Sequence, residues 1–509
     1  MSAAPQDIAV AELRRSARVL SAAGAAHAAE VELRDKLALL DTGTLLMVPG
    51  AALDQDVLAY RDRLDRAGVR VVVQTAPLDE LRALYEAAGH VSPVRRTAAT
   101  ESARQLQVLN ICRAAVKAGA SDLHFKTEND GLFTLRQRVH GLLNTIDSKP
   151  AADGEALMAT IYQSMVSTAD ATYKPHLSQD ARMKRDMAKT AGLYGCRIVT
   201  LPLDDGRAMV LRLLHSAGER PRSMADLGYS TQHAPLIKRM TERKTGLNIF
   251  SGPTGSGKST TLEVLLSMLV RHHNGQINGI TLEDPPEYHI PGFNQVPVIE
   301  DDWDGGIRAL MRADPDVIMI GEMRDAVSAS AGFRAALTGH GVWSTLHTND
   351  ATAILQRLED IGVDRALLLD PTTLTGLINQ GLAPVLCPDC KRSWIAARVD
   401  ADPGLVERVE ARCNPTHVFV RGPGCSRCRS SGIIGRRVIA EVIVPTARLM
   451  RAYAVGGKLE ARADWIAGGG ITKAAHLASV IGEGTVDPRL GEEHVCALDD
   501  DDVVTGGRA

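Results

Sequence analysis

Residues 247–270 read LNIFSGPTGSGKSTTLEVLLSMLV, an apolar run, a glycine-rich turn and a helix-like run in that order. The turn from Gly252 to Ser259 matches the pattern G-x-x-x-x-G-K-[ST] in full. Glycines let backbone N–H groups converge on phosphate oxygens without Cβ clashes, and the start of the following helix adds positive potential. We therefore predict a phosphate-binding loop between a strand and a helix.

Two side chains of this loop have predicted roles. Lys258 can reach the β- and γ-phosphates of a nucleotide, and the Ser259 hydroxyl can ligate Mg²⁺. The alternative is a Gly/Ser turn that happens to precede a lysine, and it is weakened because motif, strand and helix coincide. The predicted nucleotide-binding residues of the loop are Gly252, Pro253, Thr254, Gly255, Ser256, Gly257, Lys258, Ser259 and Thr260.

From about residue 230 onward, short apolar runs alternate with helical segments. The runs are LNIFSG, NGITLED, DVIMIGE and GVWSTLH. This alternation is typical of a parallel sheet with crossover helices, so we predict an α/β domain over residues 230–509. The third run ends in Gly321 and Glu322. In phosphate-loop ATPases the corresponding strand ordinarily ends in Asp, and here Gly321 takes that place and Glu322 comes next. Glu322 is predicted to orient or activate the attacking water, the alternative being a solvated strand-end carboxylate.

Four cysteines form two Cys-x-x-Cys pairs: Cys387 with Cys390, and Cys425 with Cys428. Two such pairs can supply four thiolates to a tetrahedral Zn²⁺, which leaves a net charge of −2 on the site. A thiol redox pair and unligated thiols are the alternatives. The basic neighbours expected to offset the charge and to hydrogen-bond the sulfurs are Lys391, Arg392, Arg427 and Arg429.

Three further motifs carry a resemblance. The run MRADPDVIMIGEMRD at 311–325 resembles the signature of the ATPases of type II secretion and type IV pilus assembly. TLEDPPEY at 281–288 resembles the aspartate box of that family, and LTGHG with STLHTND at 337–350 resembles its histidine box. The resemblance covers roughly residues 100–490. It implies a ring-forming homohexamer with a RecA-like, parallel-sheet ATPase domain that follows a smaller α+β (PAS-like) domain.

The resemblance also implies roles for five acidic and histidine side chains. Glu283, Asp284 and Glu287 would lie near the Mg²⁺ and phosphate site. His340 and His347 resemble a pair that senses or stabilises the γ-phosphate. The alternatives are solvated acids in a turn and structural histidines.

Positive charge must reach the phosphates as negative charge builds on the leaving oxygens. In the resembled family, paired arginines of the middle domain reach the nucleotide as that domain closes. Arg136 and Arg138 are two residues apart and share one face of a predicted strand, and Arg182 and Arg197 are further candidates. An exposed basic strand face or a subunit interface is the alternative. His140 stands where the family usually has Asp.

The N-terminal part is predicted to be a small α/β unit, with a helix at 54–67 whose apolar side carries Val57, Leu58 and Leu64. The middle part is predicted to contain two hairpins, around TENDG and LDDGR. A polar stretch at 92–104 reads as a linker, and residues 501–509 as a frayed acidic tail. The predicted divisions are a docking domain at 1–95, a middle domain at 96–218, a linker at 219–229, the ATPase domain at 230–509 and a zinc-binding subdomain at 385–437.

Composition limits the functions that fit. The chain has 509 residues, which suggests about three domains, and 45% of them are apolar, so a core can form. Its 58 basic and 61 acidic residues give a net charge of −3, which argues against a nucleic-acid coat protein. No apolar run approaches the ~20 residues of a membrane span, and the N-terminus lacks the order of a secretory signal. We expect a cytoplasmic protein, and the resemblance to secretion and pilus ATPases implies that it is peripheral at the inner membrane.

Together these features predict a hexameric motor that hydrolyses ATP with Mg²⁺ to drive pilus assembly or secretion through an inner-membrane platform protein. In the resembled family, a four-cysteine site and a long N-terminal extension are typical of assembly and secretion motors and are missing from retraction motors, so the resemblance implies an extension or secretion motor. In the resembled family an arginine often follows the position of Gln380, where this chain has Gly381. The alternatives are a RecA-like nucleic-acid translocase or helicase, which should carry a basic, aromatic pore loop, and a regulator that binds ATP without turnover.

Overall fold

The computed structural model describes residues 17–22, 24–30, 33–88, 93–167, 172–215, 223–299 and 302–506. The chain divides into two compact units, residues 1–110 and residues 111–509. The domain divisions proposed from the sequence stay predictions. Among the described residues, no helix combines the length and the apolar character that a membrane span requires.

The first unit contains a three-stranded sheet in the order β1-β2-β3, in which β1 and β2 are antiparallel and β2 and β3 are parallel. Its elements are β1 (Leu37–Leu39), β2 (Thr44–Met47), α1 (Gln55–Arg66), β3 (Val72–Thr75) and α2 (Leu78–Ala87).

Helix α1 confirms the helix predicted at 54–67. It begins where the Asp54 side chain accepts hydrogen bonds from two backbone N–H groups of the first turn. Val57 and Leu64 are buried as predicted, whereas Leu58 is 41% exposed. Tyr60 is buried instead, because positions 57, 60 and 64 follow the helical repeat and share one face.

A long helix, α3 (Pro93–Ala118), spans the point where the two units meet in sequence. The prediction of a linker at 92–104 was wrong for residues 93–104. The one proline of that stretch is the first residue of the helix, where its missing N–H breaks no hydrogen bond. Residue 92 lies outside the described residues.

The middle part of the chain forms a six-stranded sheet in the order β6-β5-β4-β9-β8-β7. Both predicted hairpins are confirmed, because β4 pairs antiparallel with β5 and β8 pairs antiparallel with β9. The elements are β4 (Ala120–Glu128), β5 (Leu132–Val139), β6 (Leu142–Pro150), α4 (Ala151–Ser164), β7 (Gln179–Arg182), α5 (Arg185–Thr190), β8 (Leu193–Leu203) and β9 (Gly206–His215).

The remaining residues build the predicted α/β domain around a seven-stranded sheet in the order β12-β11-β13-β14-β10-β15-β18. The strands from β12 to β15 are parallel to their neighbours, which confirms the parallel sheet, and β18 is antiparallel to β15. Alternate strand residues enter two buried clusters: Ile249 and Ile320 belong to one, and Phe250 and Met319 to the other. Both faces of the sheet are therefore covered.

The elements of this domain up to the long central strand β15 are α6 (Met224–Leu227), α7 (His233–Thr241), β10 (Gly246–Ser251), α8 (Lys258–His272), β11 (Gly279–Glu283), β12 (Phe293–Pro297), α9 (Trp303–Leu310), β13 (Val317–Ile320), α10 (Ala326–Leu337), β14 (Gly341–Leu346), α11 (Ala353–Asp360), α12 (Arg365–Leu368) and β15 (Leu374–Leu386). After it follow β16 (Arg392–Ser393), α13 (Trp394–Ala397), α14 (Pro403–Arg412), β17 (Phe419–Val420), β18 (Ile433–Ile443), α15 (Ala447–Ala467), α16 (Lys473–Gly482), α17 (Pro488–His494) and α18 (Asp502–Thr505).

The C-terminal segment differs from the frayed tail predicted at 501–509. Helix α18 forms there, and its acidic residues pair with arginines of the domain. Asp501 lies 3.0 Å from the Arg462 guanidinium, and Asp502 lies 2.7 Å from that of Arg412. The prediction was wrong for residues 501–505 because these carboxylates neutralise cations that sequence spacing alone does not reveal. Residues 507–509 lie outside the described part.

Candidate functional site

The predicted phosphate loop lies between two elements of the parallel sheet domain. β10 ends at Ser251 and α8 begins at Lys258. Gly257 caps the helix with φ 85°, in the left-handed region that glycine adopts without strain. A Cβ at Gly252 would overlap the main-chain oxygen of Gln380, so this position also requires glycine. The backbone therefore has the loop and the open helix N-terminus that the motif predicts.

Lys258 folds back over the loop. Its Nζ donates to the carbonyl oxygens of Gly252, at 2.7 Å, and Pro253, at 3.2 Å. Burial lowers the pKa of Lys258 to about 8, while the negative charge of Glu322 opposes that shift. The amine is therefore held at the loop and close to the strand-end carboxylate.

Glu322 follows β13 and lies at the same sheet edge as the loop. Its Oε1 is 3.3 Å from Nε2 of His347, and its Oε2 is 2.9 Å from Nε of Arg324. Because β10, β13 and β14 are parallel, residues that follow them meet at one edge. The structure thus brings Lys258, Glu322 and His347 together.

Arg324 links this group to the aspartate box, and the sequence analysis gave it no role. Its guanidinium lies 3.8 Å from Asp284 as well as 2.9 Å from Glu322. The signal was present in the run GEMRD, where an arginine follows the strand-end carboxylate by two residues. Burial, followed by the charge of Lys258, lowers the pKa of His347, which favours its neutral imidazole.

Glu283 forms its side-chain hydrogen bonds with residues of β11 and β12. Its Oε1 accepts from the Thr281 hydroxyl at 2.6 Å and from the Gln295 amide at 3.0 Å. Burial raises the pKa of Glu283, and the nearby carboxylate of Glu287 adds to that rise. Gln295, on β12, has no motif signal, because it reaches Glu283 only through the pairing of β12 with β11.

Two of the four candidate arginines lie at the aspartate box. Arg197 is 3.4 Å from Glu287, and Arg182 is its partner in the pairing of β7 with β8. Burial and the charge of Arg197 lower the pKa of Arg182, and the charge of Asp284 opposes that shift. The middle domain therefore places positive charge opposite these carboxylates.

The other two arginines have partners within the middle domain. Arg138 donates to the carbonyl oxygen of Gly141 at 2.9 Å and lies 3.9 Å from Asp122. Arg136, on the same strand, is exposed and pairs in register with His124. The hydrogen bonds and ion pairs recorded for the described residues do not join Arg136 or Arg138 to the phosphate loop.

His340 is not brought to this group. It precedes β14, whereas the phosphate loop, Glu322 and His347 follow their strands. β14 is six residues long, so its two ends lie about 20 Å apart. Its Nδ1 lies 3.0 Å from the carbonyl oxygen of Ala335, at the end of α10.

The four predicted cysteine ligands form a compact cluster, with all four sulfur atoms within 4.8 Å of one another. The Sγ–Sγ distances are 3.7 Å for Cys387–Cys425, 3.8 Å for Cys390–Cys428 and 3.7 Å for Cys425–Cys428. A tetrahedron with metal–sulfur bonds of about 2.3 Å has edges of about 3.8 Å. The cluster therefore fits a tetrahedral metal ion, and its sulfurs are too far apart for disulfide bonds.

Backbone amides, and not basic side chains, donate to the sulfurs. The N–H groups of Cys425 and Gly432 lie 3.1 and 3.2 Å from Cys428 Sγ. Burial acts to raise the pKa of the Cys428 thiol, but these donors, together with the thiols of Cys425 and Cys390, outweigh it and lower that pKa to about 6.

The prediction that four basic neighbours hydrogen-bond the sulfurs was wrong. Lys391 donates to the Gly484 carbonyl at 2.7 Å, Arg427 pairs with Asp389 at 3.1 Å, and Arg429 donates to the Lys117 carbonyl at 2.9 Å. Within residues 385–437, all of which are described, no recorded hydrogen bond joins Arg392 to a sulfur. Long basic side chains reach carbonyls and carboxylates outside the cluster, whereas the tight turns point amides at the sulfurs.

The chain matches a protein family described as type II/IV secretion system protein over residues 99–474. It is 33% identical over 333 residues to the type II secretion system ATPase E of Vibrio cholerae, which covers 65% of this chain and 63% of that protein. It is 34% identical over 364 residues to the type IV pilus assembly ATPase PilB of Thermus thermophilus, covering 70% of this chain and 39% of that protein. The chain thus spans less than two thirds of the length of these relatives.

Among solved structures, the chain is similar to the ATPase DotB of Yersinia pseudotuberculosis. The TM-score is 0.52 at 17% identity, over 76% of this chain and 92% of that one. At that identity the likeness concerns the fold alone, and it agrees with the RecA-like α/β domain and preceding α+β domain predicted from the motifs.

Proposed function

Since this chain belongs to the type II/IV secretion system protein family, we propose that it is an ATP-hydrolysing motor subunit of a secretion or pilus-assembly system. The observation that carries this proposal is the convergence of Lys258, Glu322 and His347 at the sheet edge where the phosphate loop opens. The relatives reported above are secretion and pilus ATPases. They do not support the alternative of a nucleic-acid translocase.

The residues at this edge fit a magnesium-bound nucleotide. The loop amides and the N-terminus of α8 would receive the phosphates, and Lys258 would exchange its two carbonyl partners for phosphate oxygens. Ser259 would ligate Mg²⁺, which offsets phosphate charge when it is bound. Asp284 and Glu287 would lie near that ion, and Glu283 would support the box through its hydrogen bonds.

Glu322 would orient the attacking water and take up its proton. In the structure its carboxylate is shared between Arg324 and the imidazole of His347. His347 would then donate a hydrogen bond to an oxygen of the γ-phosphate. We assign this role to His347 rather than His340, because only His347 follows its strand at the loop edge.

We propose that ATP hydrolysis performs mechanical work by moving the middle domain relative to the ATPase domain. Arg182 and Arg197 already face the aspartate box and would shift to the phosphates as the domain closes. Arg136 and Arg138 would join them only after a larger movement. The working assembly would be a homohexamer, peripheral at the cytoplasmic face of the inner membrane, that acts on a platform protein and docks through residues 1–95. No nucleic-acid partner is proposed.

The cysteine cluster would hold a structural Zn²⁺. Four thiolates occupy all positions of a tetrahedral ion, so the site has no open position for catalysis. The four cysteines lie in the insertion that joins the paired strands β15 and β18. The ion would therefore close this insertion onto the domain.

Two substitutions test the proposal. Glu322→Gln should keep nucleotide binding and lower ATP turnover by about 10²–10⁴-fold, because the amide cannot accept the proton of the water. Lys258→Ala should lose both binding and turnover. Phosphate release and nucleotide titration of the assembled protein measure these effects, with Arg448→Ala, at an exposed ion pair, as the control. Unimpaired turnover in Glu322→Gln, or a wild type with no affinity for MgATP in any assembly state, would contradict the proposal.

A further inference from the structure

Two buried side chains support the phosphate loop from the side of β15. The Tyr229 hydroxyl donates to Oε1 of Gln380 at 2.7 Å, and Nε2 of Gln380 donates to the carbonyl oxygen of Ser256 at 2.7 Å. Tyr229 is 4% exposed and Gln380 is fully buried. Each polar atom of the Gln380 side chain therefore has a partner, and water does not compete for either.

This hydrogen bond fixes the orientation of one peptide group of the loop. A trans peptide is planar, and its C=O and N–H point in opposite directions. Because Gln380 holds the Ser256 oxygen, the N–H of Gly257 must point away from Gln380, toward the open side of the loop. Gly257 is also the cap of α8, so this N–H belongs to the group of amides that would receive phosphate.

Gln380 touches the loop at a second point. Its main-chain oxygen packs against the Cα of Gly252, where any Cβ would overlap it. Its strand, β15, is the parallel neighbour of β10, which leads into the loop. One residue thus supports both the first glycine of the loop and the peptide just before the helix.

We propose that Tyr229 and Gln380 are positioning residues that hold the phosphate loop in its anion-binding conformation before nucleotide arrives, an inference that rests on the proposed ATPase function. Both side chains act through the loop backbone, and neither would touch the nucleotide. Tyr229 follows Gly228, the C-terminal cap of α6, in the segment through which the chain passes from the middle domain into the ATPase domain. The residue that orients Gln380 therefore lies in the segment that connects the two domains.

The chemistry of the pair is specific. The amide of Gln380 must accept from one side and donate to the other, which an ionised glutamate cannot do and a leucine cannot do at all. Without the pair, only a fraction of molecules would hold the loop in its binding conformation, and the apparent affinity would be reduced to that fraction of its full value. At saturating nucleotide the bound phosphates would order the loop again, so turnover would recover.

The test is steady-state ATP hydrolysis by the full chain with Tyr229→Phe and Gln380→Leu. We expect KM for ATP to rise about tenfold in each, with kcat within about twofold of wild type. The matched control is Tyr453→Phe, which also removes a buried hydroxyl hydrogen bond, 2.8 Å from Glu359. A purely structural role would lower the melting temperature and the active fraction without this division between KM and kcat.

Gln380→Glu adds a pH signature. A neutral carboxylic acid can donate to the Ser256 oxygen, whereas the ionised form cannot. The ratio of its KM to the wild-type KM should therefore fall as the pH is lowered from about 8.5 to about 6. Titration is expected in this range because burial raises the pKa of a carboxyl group. If Gln380→Leu fails to fold, Tyr229→Phe and Gln380→Glu still decide the question.

Two results would overturn the inference alone: an unchanged KM in Tyr229→Phe with an active wild type, or a KM ratio for Gln380→Glu that is elevated and independent of pH. A wild type without affinity for MgATP would instead remove the proposed function, and this inference with it. A KM effect of equal size in Tyr453→Phe would also count against the pair, because it would show a general response to lost buried hydroxyls.

Discussion

Lys258 is held at the loop by hydrogen bonds that phosphate oxygens would replace. In the structure its amine donates to two loop carbonyls, and burial lowers its pKa to about 8. Phosphate oxygens would stabilise the protonated form and so raise that pKa again. Binding of the nucleotide would therefore favour the protonated, positively charged form of Lys258.

We predict that affinity for MgATP falls as the pH rises from about 7.5 to about 9.5. The pKa of Lys258 in the free protein is about 8, so above that pH a growing fraction of molecules must first take up a proton before the ammonium can bind phosphate. Titration with a fluorescent nucleotide across this range measures the effect. Lys258→Ala should bind weakly at every pH, and a flat wild-type profile would be incompatible with this assignment.

The two histidines of the histidine box should differ in their effects. His347→Ala should lower turnover by about tenfold or more, because its Nε2 lies 3.3 Å from Glu322. His340→Ala should leave turnover within about twofold and cost about 1 kcal/mol of unfolding free energy, because its ring lies 3.0 Å from the Ala335 carbonyl at the far edge of the sheet. Phosphate release and urea unfolding separate the two, and equal losses of turnover would refute the placement.

At the scale of elements, a buried carboxylate joins the histidine box to the C-terminal helices. Glu441, on β18, accepts from the N–H groups of Ala351 and Lys473, at 2.9 and 3.1 Å, and from Arg462 at 3.0 Å. Ala351 directly follows the box, so β18 and α16 support the segment that carries His347. Buried ion pairs of this kind are costly to break because the remaining charge stays buried.

Removing this carboxylate should destabilise the domain more than removing a surface ion pair. We expect Glu441→Ala to lower the free energy of unfolding by about 3–5 kcal/mol, since the Arg462 guanidinium, also buried, loses its central partner. Arg448→Ala, at the exposed pair with Asp464, should cost about 1 kcal/mol or less. Denaturant unfolding measures both, and similar losses would show that Glu441 is not the centre of the network.

For the molecule as a whole, the cysteine cluster lies on an insertion that shares a core with the main sheet. Trp394 and Val420 of the insertion pack with Ala383 of β15 and Ile439 of β18. Hydrophobic contact and the cluster therefore act on the same segment. Loss of a metal would loosen the insertion but leave β15 paired with β18.

We predict about one zinc per chain, lost in the double substitution Cys387→Ser with Cys390→Ser. The variant should also become sensitive to protease between β15 and β18, because four thiolates no longer close that segment. Metal analysis and limited proteolysis are the measurements. Cys413→Ser with Cys496→Ser, two cysteines outside the cluster, is the matched control, and a stable, metal-free wild type would reject the site.

Much of the site could be predicted because the residues of each motif lie close together in the sequence. The loop from Gly252 to Ser259, the carboxylate after β13 and the two Cys-x-x-Cys pairs each need only their own spacing to be recognised. Strands of the parallel sheet were predictable for the same reason, since a short apolar run between turns indicates a buried strand. The failures at 93–104 and 501–505 concern polar stretches, where sequence pattern is least informative.

Which of these groups meet depended on the order of strands in space. Gln380 reaches Ser256 across 124 residues because β15 lies beside β10, and His340 is separated from His347 because they flank opposite ends of one strand. Local spacing dictates backbone conformation and reactive groups within a few residues. Contacts between distant segments arise only from the packing of the sheet, whose order β12-β11-β13-β14-β10-β15-β18 does not follow the chain.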